Sequence, residues 1–206
     1  MRDHAIPSAM VMLSPQISLF QAGCYAPISV APKLAIAQIP STAFGDGSHP
    51  TTLLCAGAVD VLCRTQSIEA FLDVGTGTGV LARIARQRGV KWVIGTDIDS
   101  LALHAARQNA ELDIGTIPID FQNTQPDHWG ARFDLIVANI LEGPLRDLAP
   151  ALALALAPGG QLLLSGFTRL QTPGLCLLYE GLGLRLLSES EQQGWALLHF
   201  QRSRHP

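Results

Sequence analysis

The chain has 206 residues, of which 48% are hydrophobic and only 15% are charged, so it is long enough for one domain with a sizeable core. Its formal net charge of −3 offers no basic surface for direct nucleic-acid binding, and no apolar run is long enough to span a membrane. The four cysteines have no C-x-x-C spacing, which disfavours a metal site or a disulfide framework and is typical of a cytoplasmic protein.

Residues 1–40 are predicted to form an N-terminal arm, partly extended or disordered, in front of a domain that spans 41–206. Prolines break this arm into short pieces, of which Ile28–Val30 and Leu34–Ala37 are the extended candidates. Prolines also interrupt its apolar residues, so a secretory signal peptide is not expected.

A dense run of small and polar residues, STAFGDGSHPTT, occupies positions 41–52. Pro50 suits the first turn of a helix, and apolar residues then recur at helical spacing over Leu53–Cys63. One interpretation is a turn that caps this helix. The alternative is a loop that carries Phe44 and His49 over a bound cofactor.

Phe71–Gly79 reads FLDVGTGTG, a short strand that ends in three alternating glycines and leads into a helix over 79–89. Such a turn presents bare backbone N–H groups to a ligand. The spacing G-x-G-x-G differs from the G-x-G-x-x-G of dinucleotide sites and suits a ligand with a charged amino-acid tail. Asp73, just before the turn, is suited to attract an ammonium or a sulfonium, and S-adenosylmethionine carries both. The alternative is a strand–helix turn that binds nothing.

Two further strands are predicted to end in acidic residues. Asp97 ends the strand over Trp92–Asp97 and lies 22 residues after Gly75, where a carboxylate accepts bonds from ribose hydroxyls in a βαβ unit. Asp99 is interpreted as the N-cap of a helix over 99–112. Asp120, near the end of a strand over 116–121, is either an acceptor for an adenine amino group or a solvent-facing acid.

Phe133–Ile140 is the most continuous apolar strand and is predicted to be central. Asn139 near its end needs a backbone or ligand partner, because an unpaired buried amide is costly. The remaining predicted elements are a helix over 142–157 stopped by Pro158-Gly159-Gly160, a strand over 161–166, a helix over 168–181 interrupted near Pro173, and a hairpin of 185–190 and 196–202 joined by Glu191–Gly194. Together they predict an α/β fold with a doubly wound, mostly parallel seven-stranded sheet and an antiparallel strand near one edge.

Several motifs resemble those of the class I S-adenosylmethionine-dependent methyltransferases and, more narrowly, those of the family that methylates ribosomal large-subunit protein eleven. The matching segments are AFGDGSHPTT (43–52), DVGTGTGVLA (73–82), GTDIDSLALHAARQNAE (95–111), VANILEGPLRDLAP (137–150) and APGGQLLLSG (157–166). Members of that family carry a separate N-terminal recognition domain. Forty residues are too few for it, so the chain is expected to lack that domain.

The resemblance implies a role for individual residues. The glycine turn is expected to hold the methionine portion of S-adenosylmethionine, Asp97 the ribose and Asp120 the adenine, while Thr52 closes over the cofactor. Asn139 is expected to face the reacting centre and is the catalytic candidate; no metal ligand is expected. The whole predicted cofactor-binding set is Phe44, Thr51, Thr52, Asp73, Gly75, Thr76, Gly77, Gly79, Asp97, Ile98, Asp120 and Asn139.

The activity implied is transfer of a methyl group from S-adenosylmethionine, leaving S-adenosylhomocysteine, to a protein lysine or N-terminal amine. Two alternatives stay open: a methyltransferase for a small-molecule acceptor, and a protein that binds S-adenosylmethionine without turnover. His49 is either a proton acceptor or a loop histidine that bonds the backbone. Partners are expected to be a protein or small-molecule acceptor, without nucleic acid or membrane.

Overall fold

The computed structural model describes residues 10–22, 34–41, 44–45, 47–124 and 133–204. Within these ranges strands and helices mostly alternate, as the sequence predicted. The strands are β1 (Met10–Ser14), β2 (Ile17–Gln21), β3 (Leu34–Gln38), β4 (Ala70–Val74), β5 (Trp92–Thr96), β6 (Asp120–Gln122), β7 (Phe133–Asn139), β8 (Leu156–Thr168), β9 (Leu184–Gln192) and β10 (Trp195–Arg202). The α-helices are α1 (Pro50–Thr65), α2 (Val80–Gln87), α3 (Ser100–Ala110), α4 (Glu142–Asp147), α5 (Ala149–Ala155) and α6 (Thr172–Gly181).

The main sheet has seven strands in the order β6-β5-β4-β7-β8-β10-β9. Neighbours from β6 to β8 pair in parallel, whereas β10 is antiparallel to both β8 and β9. This confirms the predicted fold class, including an antiparallel strand next to one edge. Apolar clusters cover both faces of the sheet, which explains why its central strands read as nearly continuous hydrophobic runs.

Prolines account for most of the differences in element boundaries. The single helix predicted over 142–157 is wrong: α4 and α5 meet at Leu148, and Pro150 lies in the first turn of α5, because its ring cannot continue a preceding helix. Pro173 likewise lies in the first turn of α6, after a 3-10 turn at Arg169–Gln171. The strand predicted from residue 116 begins only at Asp120, after Pro118, which has no N–H to donate to a ladder.

The start of β8 was also predicted wrongly. Pro158-Gly159-Gly160 does not precede the strand but lies inside it, where the register with β7 slips between Phe133–Leu156 and Leu135–Gln161. Gly159 takes a φ of +80°, a conformation that a bulged strand obtains readily from glycine. The β9–β10 hairpin turns through two residues, Gln193 and Gly194, rather than four.

The described part of the N-terminal arm forms a second sheet, in the order β1-β2-β3. Leu34–Ala37 is extended as predicted, whereas β1 and β2 were not predicted and Ile28–Val30 lies outside the described residues. Apolar side chains of this sheet join one buried cluster with α1, among them Ile17, Leu19 and Ile36. The small sheet therefore packs directly on the helix that follows the 41–49 loop.

Candidate cofactor-binding and active site

A cavity of about 650 Å³ opens at the carboxyl ends of β4, β5, β7 and β8, which is where doubly wound sheets bind ligands. Its walls come from the glycine turn, the β5–α3 connection, the segment after β7 and the loop before α1. The lining residues are Phe44, His49, Thr51, Val74, Gly75, Gly77, Thr96, Asp97, Ile98, Asp99, Ala102, Thr124, Asn139, Ile140, Leu141, Pro144, Asp147, Leu148, Gly166 and Trp195.

The turn after β4 is built on left-handed glycines. Gly75 and Gly77 have φ values of +70° and +55°. A Cβ on Gly75 would lie 2.2 Å from Cγ2 of Ile140, and one on Gly77 would lie 2.2 Å from the carbonyl oxygen of Phe44. The N–H groups of Gly75 and Thr76 both donate to the Thr96 carbonyl, at 2.8 and 2.9 Å. The turn is thus a close-packed cradle that side chains at these positions would fill.

Asp97 joins this turn to the end of β5. One carboxylate oxygen, Oδ2, accepts from the Gly77 N–H at 3.0 Å, and the other, Oδ1, accepts from the Asp99 N–H at 3.0 Å. Asp97 is half-buried in the cavity wall, and each oxygen has a further lone pair. Asp99 caps α3 by accepting from the Leu101 N–H at 2.8 Å, which confirms the predicted cap.

Asp73 lies beneath the glycine turn and is not among the residues that line the cavity. Its Oδ2 accepts from the Thr76 hydroxyl at 2.6 Å and from the Ala82 N–H at 3.2 Å. Complete burial raises the pKa of Asp73 from its usual 3.8 to about 7, although these two hydrogen bonds oppose the shift; the nearby Asp97 adds to it. In this geometry Asp73 and Thr76 tie the turn to the first residues of α2.

Asn139 ends β7 and lines the cavity. Its side-chain carbonyl oxygen Oδ1 is buried and accepts no hydrogen bond from the described residues. The sequence analysis left either a backbone group or a ligand as the partner of this amide. In the described structure no backbone group bonds Oδ1. An unpaired buried acceptor costs about 1–3 kcal/mol, so this oxygen favours a ligand donor.

An aromatic row borders the other side of the cavity. The His49 ring lies 5.3 Å from that of Phe44 and 4.6 Å from that of Trp195, the latter edge to face. His49 is also the N-cap of α1: its Nδ1 accepts from the Thr51 N–H at 3.3 Å and lies 2.7 Å from the Thr51 hydroxyl. Of the two roles predicted for His49, the structure shows the one in which the ring bonds the backbone.

Seven of the predicted cofactor-binding residues line the cavity, and five do not. The seven are Phe44, Thr51, Gly75, Gly77, Asp97, Ile98 and Asn139. The five are Thr52, Asp73, Thr76, Gly79 and Asp120. Thr52 is buried within α1, and Gly79 would meet Ala106 and Phe121 if it carried a Cβ. Asp120 is exposed on edge strand β6, where it accepts from the Gln122 amide.

Sequence reasoning missed much of the remaining wall. Trp195 lies more than 140 residues from the aromatic partner it contacts, and only the insertion of β10 beside β8 brings it to the cavity. Ile140, Leu141 and Leu148 follow the central strand, where nothing separates them from ordinary core residues. The sequence did contain one indication of this wall. Asn139 lies at a strand end, and these residues follow it at the same edge of the sheet.

The charge in the cavity wall is negative. Three carboxylates line it, on Asp97, Asp99 and Asp147, and no lysine or arginine does so among the described residues. Asp147 is exposed and has no hydrogen-bond or ion-pair partner in the part of the chain that the structure describes. Such a wall favours cationic ligands and disfavours anionic ones.

The described residues hold neither a cluster suited to a metal ion nor a helix suited to cross a membrane. No group of three or more His, Cys, Asp or Glu side chains is arranged to hold a metal ion. Among the helices described, none combines the length and the apolar character needed to cross a membrane.

Comparison with known proteins identifies similar sequences and folds. A profile of the family described as ribosomal protein L11 methyltransferase (PrmA) matches residues 25–203. The ribosomal protein L11 methyltransferase of Rhizobium leguminosarum bv. trifolii is 40% identical over 167 residues, which cover 78% of this chain and 56% of that protein. The chain spans about half the length of the curated relatives it matches.

Two solved structures share the fold of this chain. A crystal structure of ribosomal protein L11 methylase from Lactobacillus delbrueckii subsp. bulgaricus superposes with a TM-score of 0.84 at 32% identity, covering 94% of this chain and 98% of that one. The N-methyltransferase NodS from Bradyrhizobium japonicum, solved with S-adenosyl-L-homocysteine, shares the fold at a TM-score of 0.60 and 17% identity, covering 75% and 89% of the two chains.

Proposed function

The chain belongs to the ribosomal protein L11 methyltransferase family, and from this premise we propose that it transfers a methyl group from S-adenosylmethionine to an amine of a protein. The observation that carries the proposal is the cavity wall itself. There the Asp97 carboxylate is bonded to the glycine turn, and the unpartnered Oδ1 of Asn139 lies in the same wall.

The residues present fit the proposed cofactor. Gly75 and Gly77 line the cavity without side chains, the remaining lone pairs of Asp97 suit paired hydroxyl donors, and the negative wall suits a sulfonium and an ammonium. When bound, S-adenosylmethionine supplies an already activated methyl group on sulfur.

The chain's own contribution to the reaction is mainly alignment. In our proposal the Oδ1 of Asn139 accepts a hydrogen bond from the acceptor amine and orients its lone pair. Alignment of this kind is worth roughly 7–11 kcal/mol of an activation barrier. The rest of the predicted set supports the cavity: Asp73 and Thr76 from beneath the turn, Thr52 from within α1, and Gly79 by close packing of α2. Asp120 stays a proposal for adenine recognition from the outer edge of the sheet.

The acceptor amine must lose a proton before transfer, and the ordinary lysine pKa of about 10.4 opposes this. Burial against the apolar side chains of Val74, Ile140 and Leu141 lowers the pKa of a bound amine, because desolvation penalises the charged form. We assign no dedicated base. The His49 ring caps α1 through its contacts with Thr51, which is a structural role.

The names of the relatives support a ribosomal protein as the acceptor, and with such an acceptor we propose a cytoplasmic reaction. Cys55, Cys63 and Cys176 are free thiols, consistent with that compartment. The proposed methyltransferase domain spans residues 41–206, with residues 1–40 as its arm. A small-molecule acceptor and cofactor binding without turnover are the competing outcomes.

Two measurements test this function. Isothermal titration should show binding of S-adenosylmethionine and none of NAD; binding of NAD alone would overturn the cofactor assignment. Labelled methyl from S-adenosylmethionine should then enter protein when ribosomes from cells lacking this protein are the acceptor. Label found only in extracted metabolites would establish the small-molecule alternative, and cofactor binding without label in any fraction would establish the non-catalytic one.

A further inference from the structure

Thr78, a buried residue outside the cavity wall, joins the glycine turn to the loop before α1. Its backbone N–H donates to the carbonyl of Phe44 at 2.9 Å, and its hydroxyl donates to the carbonyl of Gly45 at 2.8 Å. Gly45 has a φ of +105°, and a Cβ there would lie 2.7 Å from the Thr78 hydroxyl oxygen. The two segments are therefore joined by one backbone–backbone bond and by one bond from the Thr78 side chain to the backbone.

Asn109 extends the same connection to α3. It is 1% exposed, and its amide nitrogen Nδ2 donates to the carbonyl of Thr78 at 3.0 Å. Its amide oxygen Oδ1 accepts from the N–H of Ile39 at 2.8 Å, 70 residues away in the chain. One buried side chain thus fixes both the residue after Gly77 and the start of the loop that leads to Phe44.

These bonds couple the two sides of the cavity. On one side, Gly77 donates to Asp97, and Thr78 follows it directly. On the other, Phe44 lines the cavity and its ring contacts His49. Because peptide units are rigid, a shift of Thr78 relative to Phe44 changes the distance between the glycine turn and the aromatic row.

We propose that Thr78 and Asn109 are positioning residues that hold the aromatic side of the cavity at a fixed distance from the glycine turn. The catalytic part of this inference rests on the proposed function: the turn holds the methyl donor, and the aromatic row borders the path of the acceptor. Misplacement by about 1 Å can lower turnover 100-fold, so a pair of hydrogen bonds that sets this distance affects catalysis without touching either substrate.

The test uses the 206-residue chain with substitutions at Thr78 and Asn109. Thr78→Val removes the hydroxyl donor and keeps the shape of the side chain, whereas Thr78→Ser keeps the donor. Asn109→Ala removes both amide bonds. Tyr179→Phe is the matched control, because the Tyr179 hydroxyl donates to the Leu145 carbonyl at 2.7 Å in the other buried cluster, away from the loop.

Hydrogen–deuterium exchange reports the position of the loop independently of activity. We expect faster exchange in peptides spanning 38–49 for Thr78→Val and Asn109→Ala, and native exchange there for Thr78→Ser and Tyr179→Phe. Native protection of 38–49 in both Thr78→Val and Asn109→Ala would overturn the proposal.

Kinetics then separate positioning from a purely structural role. With large ribosomal subunits from cells lacking this protein as acceptor, Thr78→Val should lower kcat/KM about ten- to a hundred-fold. Thr78→Ser should recover most of that loss, and Tyr179→Phe should show little. A loss in Thr78→Val no larger than in Tyr179→Phe would overturn the catalytic part. If the proposed function itself is wrong, the native chain will neither bind S-adenosylmethionine nor transfer methyl. The hydrogen–deuterium exchange comparison does not depend on that outcome.

Discussion

The carboxylate of Asp97 accepts a hydrogen bond of 3.0 Å from the backbone N–H of Gly77, 20 residues earlier in the chain. This bond joins the carboxyl ends of β4 and β5 at the point where the cavity opens. The half-buried Asp97 carboxylate still has lone pairs that are not used by this bond. A ligand hydroxyl can therefore donate to it in a strong, charge-assisted hydrogen bond.

Replacing Asp97 is expected to weaken cofactor binding. Asp97→Ala should lower the affinity for S-adenosylmethionine by roughly 1.5–3 kcal/mol in isothermal titration, because two charge-assisted bonds are lost. The matched control is Asp134→Ala, which also removes a carboxylate that accepts from two backbone N–H groups, those of Glu69 and Ala70, but at the opposite end of β4. Equal affinity in folded Asp97→Ala and native protein would remove Asp97 from the site.

Asn139 is expected to act on turnover more than on cofactor affinity. Asn139→Ala removes an oxygen that has no partner in the described structure, so it should preserve or slightly raise the free energy of unfolding. Methyl transfer should fall strongly while the dissociation constant for S-adenosylmethionine changes little. Parallel losses in kcat and in cofactor affinity would instead make Asn139 a cofactor ligand only.

The glycine turn gives a prediction that separates backbone strain from steric exclusion. Gly77→Ala and Gly183→Ala both place alanine at positive φ, +55° and +83°, which costs about 1–2 kcal/mol. Only at Gly77 does the new Cβ lie 2.2 Å from the Phe44 carbonyl oxygen, whereas nothing lies within 4 Å at Gly183. Urea unfolding should show a larger loss for Gly77→Ala, and cofactor titration should show a loss there alone. Equal effects would show that the turn has room to relax.

The raised pKa of Asp73 predicts a pH dependence of stability. Its pKa of about 7 lies above the usual 3.8, so the folded state binds the proton more tightly than the unfolded state does. The resulting stabilisation is complete below about pH 4 and is lost as the pH rises through about 7. Asp73→Asn cannot titrate. The free energy of unfolding of Asp73→Asn minus that of native protein should therefore rise between pH 4 and 7, by at most about 1.4 kcal/mol per pH unit.

Urea unfolding of both proteins at several pH values measures this difference, and other titrating groups cancel in it to first order. The Asn side chain can still accept the bonds from Thr76 and Ala82, so the comparison keeps the local hydrogen bonds. A difference that does not change with pH would contradict the raised pKa.

Asp147 is expected to contribute to the affinity for a cationic acceptor. Asp147→Asn should raise the KM for large ribosomal subunits several-fold at low salt, and the effect should shrink as ionic strength rises, because exposed charges are screened. Glu189→Gln removes a comparable exposed carboxylate on edge strand β9, away from the cavity wall, and serves as the control. An equal KM for Asp147→Asn and Glu189→Gln would exclude a specific role.

Much of the fold was predictable because its signals are local. Glycines follow the apolar strand that contains Leu72 and Val74, and another apolar run precedes Asn139. Each of these patterns, like an acid at a strand end, predicts the conformation of its own neighbours in the chain. Most errors in element boundaries arose where a proline was assigned the wrong role. Pro150 starts α5 rather than lying inside a longer helix, and Pro158 lies within a bulged strand rather than before it.

The chain alone determined the strand–turn–helix that presents Gly75 and Gly77, the acid that follows β5, and the need of Asn139 for a partner, since each follows from the covalent neighbours of the residue concerned. The prediction that Asp120 ends its strand was wrong, because Asp120 is the first residue of β6. Only the tertiary structure decided which of these groups share a cavity. Side-chain direction at a strand end and contacts across scores of residues, such as Trp195 against His49 or Asn109 against Ile39, depend on how strands are ordered in the sheet. Strand order is set by burial summed over the whole chain, and no local pattern contains that sum.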